Sequence, residues 1–136
     1  MIRLLDAVIF NALIGNHDAH AKNFSILYQQ QRGILAPLYV LLCTAVYPTL
    51  TDKMAMQVGS KVRFSEVQAR HWEQLAKAAG LSGAQTKKRL AGIAKQLPSC
   101  ARGLQTQALY SGQPLVQCII ALIEQRCALA LKRLNT

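Results

Sequence analysis

A helix-patterned stretch that ends abruptly in a polar loop constrains this chain more than any other feature. Leu4, Leu5, Val8, Ile9, Ala12 and Leu13 recur at i, i+3 and i+4, the spacing of a helix with one buried face. Gly15 and Asn16 follow directly. Both tolerate positive φ and so stop a helix. The spacing predicts a helix over 1–14 and a loop over 16–23. Within "IGNHDAHAKN" (14–23) that loop gathers two histidines, an aspartate, a lysine and an asparagine. A polar loop rooted on a core helix has a fixed base and an exposed tip, which suits a site.

The segments after the loop alternate between extended and broken. "FSILYQ" (24–29) reads as a short strand, Gln31-Arg32-Gly33 as a turn, and 34–36 as an antiparallel return ended by Pro37. Residues 38–47 are apolar without a clear period, and Pro48 closes them. "TDKMAMQV" (51–58) is a further extended piece, and Gly59-Ser60 is a break. From Ser65 the chain is helical. Ser65 is a plausible N-cap with Glu66 in the first turn, and the helix runs to Ala79 before Gly80. A basic helix follows over 85–96, ended or kinked at Pro98 and resuming over 99–109. After Tyr110-Ser111-Gly112, Pro114 suits the first turn of a last helix to Leu134. Its apolar face is Val116, Ile119, Ile120, Ile123, Cys127, Ala130, Leu131 and Leu134. The expected fold is mainly α with a small β-hairpin (α+β).

A length of 136 residues suits a single domain over 1–136. Residues 1–60 would carry helix, loop and hairpin, and 61–136 a helical bundle. Hydrophobic residues make up 51%, which excludes disorder and favours a packed body. Residues 116–131 are the most apolar window, but they contain Glu124 and Arg126 and fall short of a membrane span. The N-terminus resembles a signal peptide only superficially, because Asp6 interrupts its apolar run. A cytoplasmic protein without a membrane segment is expected. Cys43, Cys100, Cys118 and Cys127 form no CxxC pair. They are expected to be reduced, small core residues rather than a zinc site.

The net charge of +10 implies attraction to acidic partners such as nucleic acid or nucleotide. The basic residues are nevertheless scattered. Lys87-Lys88-Arg89 is the only tight cluster, and it reads as a solvated helix face. His71 and Trp72 read as a half-buried helix face.

The loop itself carries the chemistry. Asp18 and Asn23 are separated by four residues, and Lys22 precedes Asn23. Phosphoryl-transfer loops use an Asp followed after four residues by an Asn. The carboxylate takes or orients the proton of an attacking hydroxyl. The amide oxygen helps hold the divalent ion that bridges the phosphates, and a lysine neutralises developing charge. Two plainer alternatives stand beside this reading. Asp18 could cap the local turn or pair with Lys22. His17, Asp18 and His20 could be metal ligands, although His71 is the only other histidine.

The stretch "FNALIGNHDAHAKNFSILY", followed by "LAPLYVLL", "YPTL" and "KMAM", resembles the C-terminal lobe of HipA-type serine/threonine kinases, the toxins of bacterial toxin–antitoxin modules. The family core reads roughly D-x-H-x-K-N-F-S, and Asp18, His20, Lys22, Asn23, Phe24 and Ser25 match it in order. Ala36-Pro37-Leu38-Tyr39 matches "APLY", and 53–56 match "K-x-A-M". The likeness covers about residues 1–60. It implies a kinase-like helical C-lobe, with ATP and Mg2+ as cofactors. Asp18 would be the catalytic base, and Asn23 would bind magnesium. His20 and Lys22 would support the phosphates or brace the loop.

Two departures bear on activity. After the Tyr of "LYD" the family places an Asp that holds the main metal ion, and here that position is Val40. A valine side chain offers a hard cation no oxygen. In such kinases the glycine-rich loop and strand lysine precede the catalytic loop, yet only seventeen residues precede Asp18 here. No GxGxxG or GxxxxGK pattern occurs. The expectation is a truncated C-lobe, inactive alone, that needs a separate N-lobe. The rival expectations are a partner-binding module for an antitoxin-like protein and a basic nucleic-acid-binding protein. Dimer formation through an exposed apolar face is a further expectation. The protein substrate is not legible.

Overall fold

In the computed structural model, which describes residues 1–135, the predicted first helix is present as α1 (Ile2–Ile14). Its periodic residues Leu5, Ile9, Ala12 and Leu13 enter the core. Gly15 ends it in the left-handed region (φ 76°), and the Gly15 and Asn16 amides cap Ala12 and Asn11 carbonyls. A Cβ at Gly15 would lie 2.8 Å from Ala45 Cβ and 3.0 Å from Leu122 Cδ2. Only glycine fits there, on both conformational and steric grounds.

Two separate hairpins follow. β1 (Ile26–Gln29) pairs antiparallel with β2 (Arg32–Leu35). The turn lies at Gln30 and Gln31, both at positive φ (47° and 64°), and not at Gln31-Arg32-Gly33 as expected. A two-residue turn with both φ positive matches strand twist, and it pulls Arg32 and Gly33 into the strand. Gly33 faces Tyr28, where a Cβ would meet Ile26 Cγ2 at 3.1 Å. The extended piece at 51–58 becomes β3 (Lys53–Val58). Its partner β4 (Lys61–Arg63) was not expected; it turns back at Gly59 (φ 59°).

The second half is helical, with different joints from those predicted. Ser65 lies in a 3-10 turn over Phe64–Glu66 and caps nothing. Helix α2 (Ala69–Ala78) starts four residues later, because Gln68 and His71 form a reciprocal capping box in which the Gln68 amide donates to His71 Nδ1 at 2.9 Å. Glu66 instead pairs with Lys61 at 3.4 Å. His71 and Trp72 are 2% and 3% exposed, so they are core rather than a half-buried face. Helix α3 (Gly83–Gln105) is capped by Ser82 and runs unbroken through Pro98. The two predicted segments are therefore one helix. Helix α4 (Pro114–Leu134) begins at Pro114 as predicted and buries Ile120, Ile123, Cys127 and Ala130.

Helices α3 and α4 lie side by side, tied by Arg102 to Glu124 at 2.7 Å. Helix α1 packs on both. One core unites Ile9 and Leu13 with Met54, Val58, Phe64, Trp72, Leu90 and Ile123. Arg126 crosses it: its Nε donates to Ala12 O at 2.9 Å and its guanidinium sits 4.0 Å from the Phe64 ring centroid. Burial pulls its pKa down to about 10.

Two surface expectations change. Lys87 and Arg89 are not simply solvated. Lys87 pairs with Glu73 of α2, and Arg89 forks onto Asp6 of α1. The cysteines are free, but only Cys127 is buried, while Cys100 and Cys118 are exposed. α4 is long and apolar enough to cross a membrane by length and composition, yet its inner face belongs to this core.

Candidate functional site

The loop after α1 is pinned residue by residue. Gly15 O accepts from the Ala45 amide at 3.0 Å and from Thr44 Oγ1 at 3.2 Å. The His17 amide donates to Thr44 Oγ1 at 2.9 Å, and His17 O accepts from the Ala55 amide of β3 at 2.8 Å. His17 Nδ1 donates to Thr51 O at 3.1 Å, so Nδ1 carries the proton. Burial lowers the His17 pKa and keeps the ring neutral. Nε2 has no partner. His17 therefore ties the loop to β3 from inside. It does not join Asp18 and His20 as a metal ligand, and no group of three metal-binding side chains occurs among the described residues.

Asp18 emerges at the tip, with its side chain 55% exposed. Its carboxylate meets His20 Nε2 at 3.0 Å and makes no pair with Lys22. Asn23 ends a 3-10 turn over Ala21–Asn23, and its Nδ2 donates to Asp18 O at 2.8 Å. The four-residue spacing thus closes a turn that ties the Asn23 side chain to the Asp18 backbone carbonyl. That geometry leaves Asn23 Oδ1 free to act as an acceptor. Lys22 lies on the exposed side of the turn, and its carbonyl accepts from Tyr39 Oη at 3.2 Å.

Position 40 belongs to the same site. Asn16, Asn23, Tyr39 and Val40 border one narrow crevice. Asn16 Nδ2 donates to Val40 O at 2.9 Å. Tyr39 Oη lies 3.1 Å from Ser25 Oγ, closing the other side. The structure therefore brings Asp18, His20, Asn23 and Val40 together and leaves Lys22 at the rim. Asn16 and Tyr39 were missed as functional residues. Asn16 reads from sequence as a helix stop. A second amide, Asn11, set among apolar neighbours on the same helix, was the available signal.

The large clefts lie elsewhere. One of about 630 Å³ is bordered by Asp6, Phe10, Leu27, Ile34 and Ile93, and another of about 680 Å³ by Met1, Leu4, Ile26 and Tyr28. They flank the β1–β2 hairpin. Neither is lined by residues 18–23.

The chain is similar to known proteins in sequence and in fold. Over 93 residues, 68% of this chain, the sequence is 47% identical to the Sinorhizobium fredii protein "Putative kinase Y4mE", covering 22% of that protein. Over 76 residues it is 34% identical to "Putative kinase Y4dM" of the same organism, covering 19% of it. The chain thus spans about a fifth of the length of the curated relatives it matches. In fold it is similar to a solved chain of the Shewanella oneidensis MR-1 toxin–antitoxin system HipA, HipB and its operator DNA complex. The TM-score is 0.86 at 22% identity, over 96% of this chain and 32% of that one. The family described as the HipA-like C-terminal domain matches residues 1–101, which contain α1, the pinned loop and both hairpins. With that match spanning the whole site, the chain belongs to the HipA-like C-terminal domain family.

Proposed function

We propose that this chain is the C-terminal lobe of a HipA-type serine/threonine kinase whose phosphoryl-transfer loop is kept and whose metal position is lost. One observation carries the reading: Asp18 and Asn23 share one closed turn, with position 40 clasped beside it through Asn16. In this reading Asp18 accepts the proton of an attacking serine or threonine hydroxyl. His20 holds the carboxylate in place through Nε2, and Lys22 reaches from the rim toward phosphate charge.

A magnesium ion does not fit the residues present. Asn23 contributes one amide oxygen, whereas a hard divalent ion wants several oxygens with carboxylates among them. Val40 offers only its carbonyl, which Asn16 already occupies. The site therefore holds a base without its ion, and phosphoryl transfer by these residues alone should be weak or absent. ATP would be gripped by protein outside these 136 residues, since the clefts beside the hairpin do not reach Asp18.

A thermal-shift titration tests this, with ATP and Mg2+ added to the native chain, to Asp18→Ala and to Val40→Asp. No shift for the native chain and a Mg2+-dependent rise for Val40→Asp is the expected result. A Mg2+-dependent rise in the native chain that Asp18→Ala alters would mean the site is a working nucleotide site. No Mg2+-dependent rise in Val40→Asp, with ATP or without it, would remove the metal position from the mechanism.

A second reading has its own observation. Ile26 and Tyr28 are 62% and 78% exposed on β1, which favours a module that docks a partner there, either a separate N-lobe or an antitoxin-like protein. Nucleic acid is a weaker candidate partner. Affinity for it should fall steeply as salt rises.

A further inference from the structure

We infer that Asn16 is the positioning residue that holds Asp18 and position 40 in one register, and that it does so by keeping Val40 in a backbone conformation that valine disfavours. This rests on the phosphoryl-transfer reading of the loop only for what the register is used for. The register itself is a matter of hydrogen bonds.

Val40 has φ 55°. A β-branched residue in the left-handed region is a genuine outlier, because Cβ crowds the following carbonyl. Such a residue persists only where its surroundings over-determine it. Here the surroundings are specific. Asn16 is 4% exposed, and three of its four side-chain hydrogen-bonding directions are engaged, both amide N–H donors among them. Nδ2 donates to Val40 O at 2.9 Å and to Asn11 Oδ1 at 2.7 Å, and Oδ1 accepts from the Asp18 amide at 3.2 Å.

The direction of the relay is set inside α1. Asn11 is also 4% exposed, and its Nδ2 donates to Ala7 O at 2.9 Å. A carbonyl can only accept, so Asn11 must turn Nδ2 toward Ala7 and Oδ1 toward Asn16. Asn16 must then answer with Nδ2, which fixes its oxygen toward Asp18. The core helix thereby dictates both the root of the base and the turn at position 40. Asparagine, aspartate and glycine accept φ near +55° far better than valine. The backbone at position 40 is therefore shaped for a residue type other than valine.

The test is nuclear magnetic resonance on the whole chain. A left-handed residue brings its amide and α protons close, so native Val40 should give a strong intraresidue cross-peak between them. Asn16→Ala should abolish that signature and move the Asp18 amide resonance, with the Trp72 indole signal unchanged. Persistence of the left-handed signature in Asn16→Ala would overturn the inference, since position 40 would then hold itself.

Val40→Gly supplies the second arm. Relief of the strain should raise Tm by about 3–10 °C, and Asn16→Ala should lower Tm less in that background than in the native one. If Asn16→Ala unfolds the chain with Gly at 40 as well, Asn16 is a structural residue only and the inference fails. Failure of the kinase reading looks different. Val40→Asp with Mn2+ should broaden the Asn23 amide, and adding Asn16→Ala should weaken Mn2+ at least about tenfold, the effect of losing a group that orients a ligand. No broadening in Val40→Asp, with the left-handed signature still present, would sink the kinase reading and leave the role of Asn16 standing.

Discussion

The two hairpins are built from similar material and meet opposite fates. β3 sends Met54 and Val58 inward, at 7% and 1% exposure, against α1 and α2. In β1 every residue is exposed, including Ile26, Leu27 and Tyr28. The difference lies in tethering. β3–β4 is stitched to the loop through His17 O and Ala55, and its Gly59 turn presses on α2. β1–β2 is held at its root, where the Ala36 amide donates to Ser25 O at 2.8 Å. An apolar strand signals that a surface suits cover. It does not signal whether the cover lies in the same stretch of chain.

Four measurements sharpen or break that comparison. The largest effect should come from Met54→Ala, which empties a core position and should lower unfolding free energy by about 2–5 kcal/mol in a denaturant melt. Tyr28→Ala should change it by no more than about 0.5 kcal/mol. Equal losses would mean that β1–β2 is packed after all. Next is Gly59→Ala. The new Cβ would lie 2.8 Å from His71 O at a positive φ, so a loss of about 1–3 kcal/mol is expected, readable as a drop in Tm.

Acid supplies the third. Burial lowers the pKa of both His17 and His71. The unfolded chain then binds protons that the folded chain refuses as pH falls below about 6.5. Stability should be full above that pH, decline below it, and level off only under the folded pKa values. His71→Asn should flatten the decline, and a Tm that holds or rises between pH 7.5 and 5.5 would contradict it. The last effect is a small gain and belongs to the exposed turn. Gln31→Gly relieves a positive φ and should add about 0.5–1 kcal/mol. A loss there would mean that the Gln31 side chain makes a contact of its own.

Periodicity made the helices legible. The α4 stripe from Val116 to Leu134 and the stop at Gly15-Asn16 needed only spacing and local backbone preference. The joints were less legible because rivals for the same role stand close together. Ser65 is the stronger N-cap by type, yet Gln68 takes the role because His71 answers it across the turn. Pro98 reads as a break, but packing of α3 on α1, α2 and α4 carries the helix through it. β4 is three residues long, too short for a pattern to show. At the site, Asp18, His20 and Asn23 were legible because their spacing is local. The clamp from Asn16 to Val40 was not, because it joins residues 24 apart through one side-chain amide.

All six Asp and Glu side chains are engaged within the chain: Asp6 by Arg89, Asp18 by His20, Asp52 by Arg63, Glu66 by Lys61, Glu73 by Lys87 and Glu124 by Arg102. With sixteen basic residues against six acidic ones, what remains for the outside is a field of one sign. Two copies of the molecule repel before their exposed Ile26 and Tyr28 can touch. Added salt shortens that repulsion to about 8 Å at physiological strength. Colloidal behaviour should therefore run opposite to that of a protein held apart by its hydration alone: dispersed in dilute buffer, and stickier as the ions that shield it accumulate.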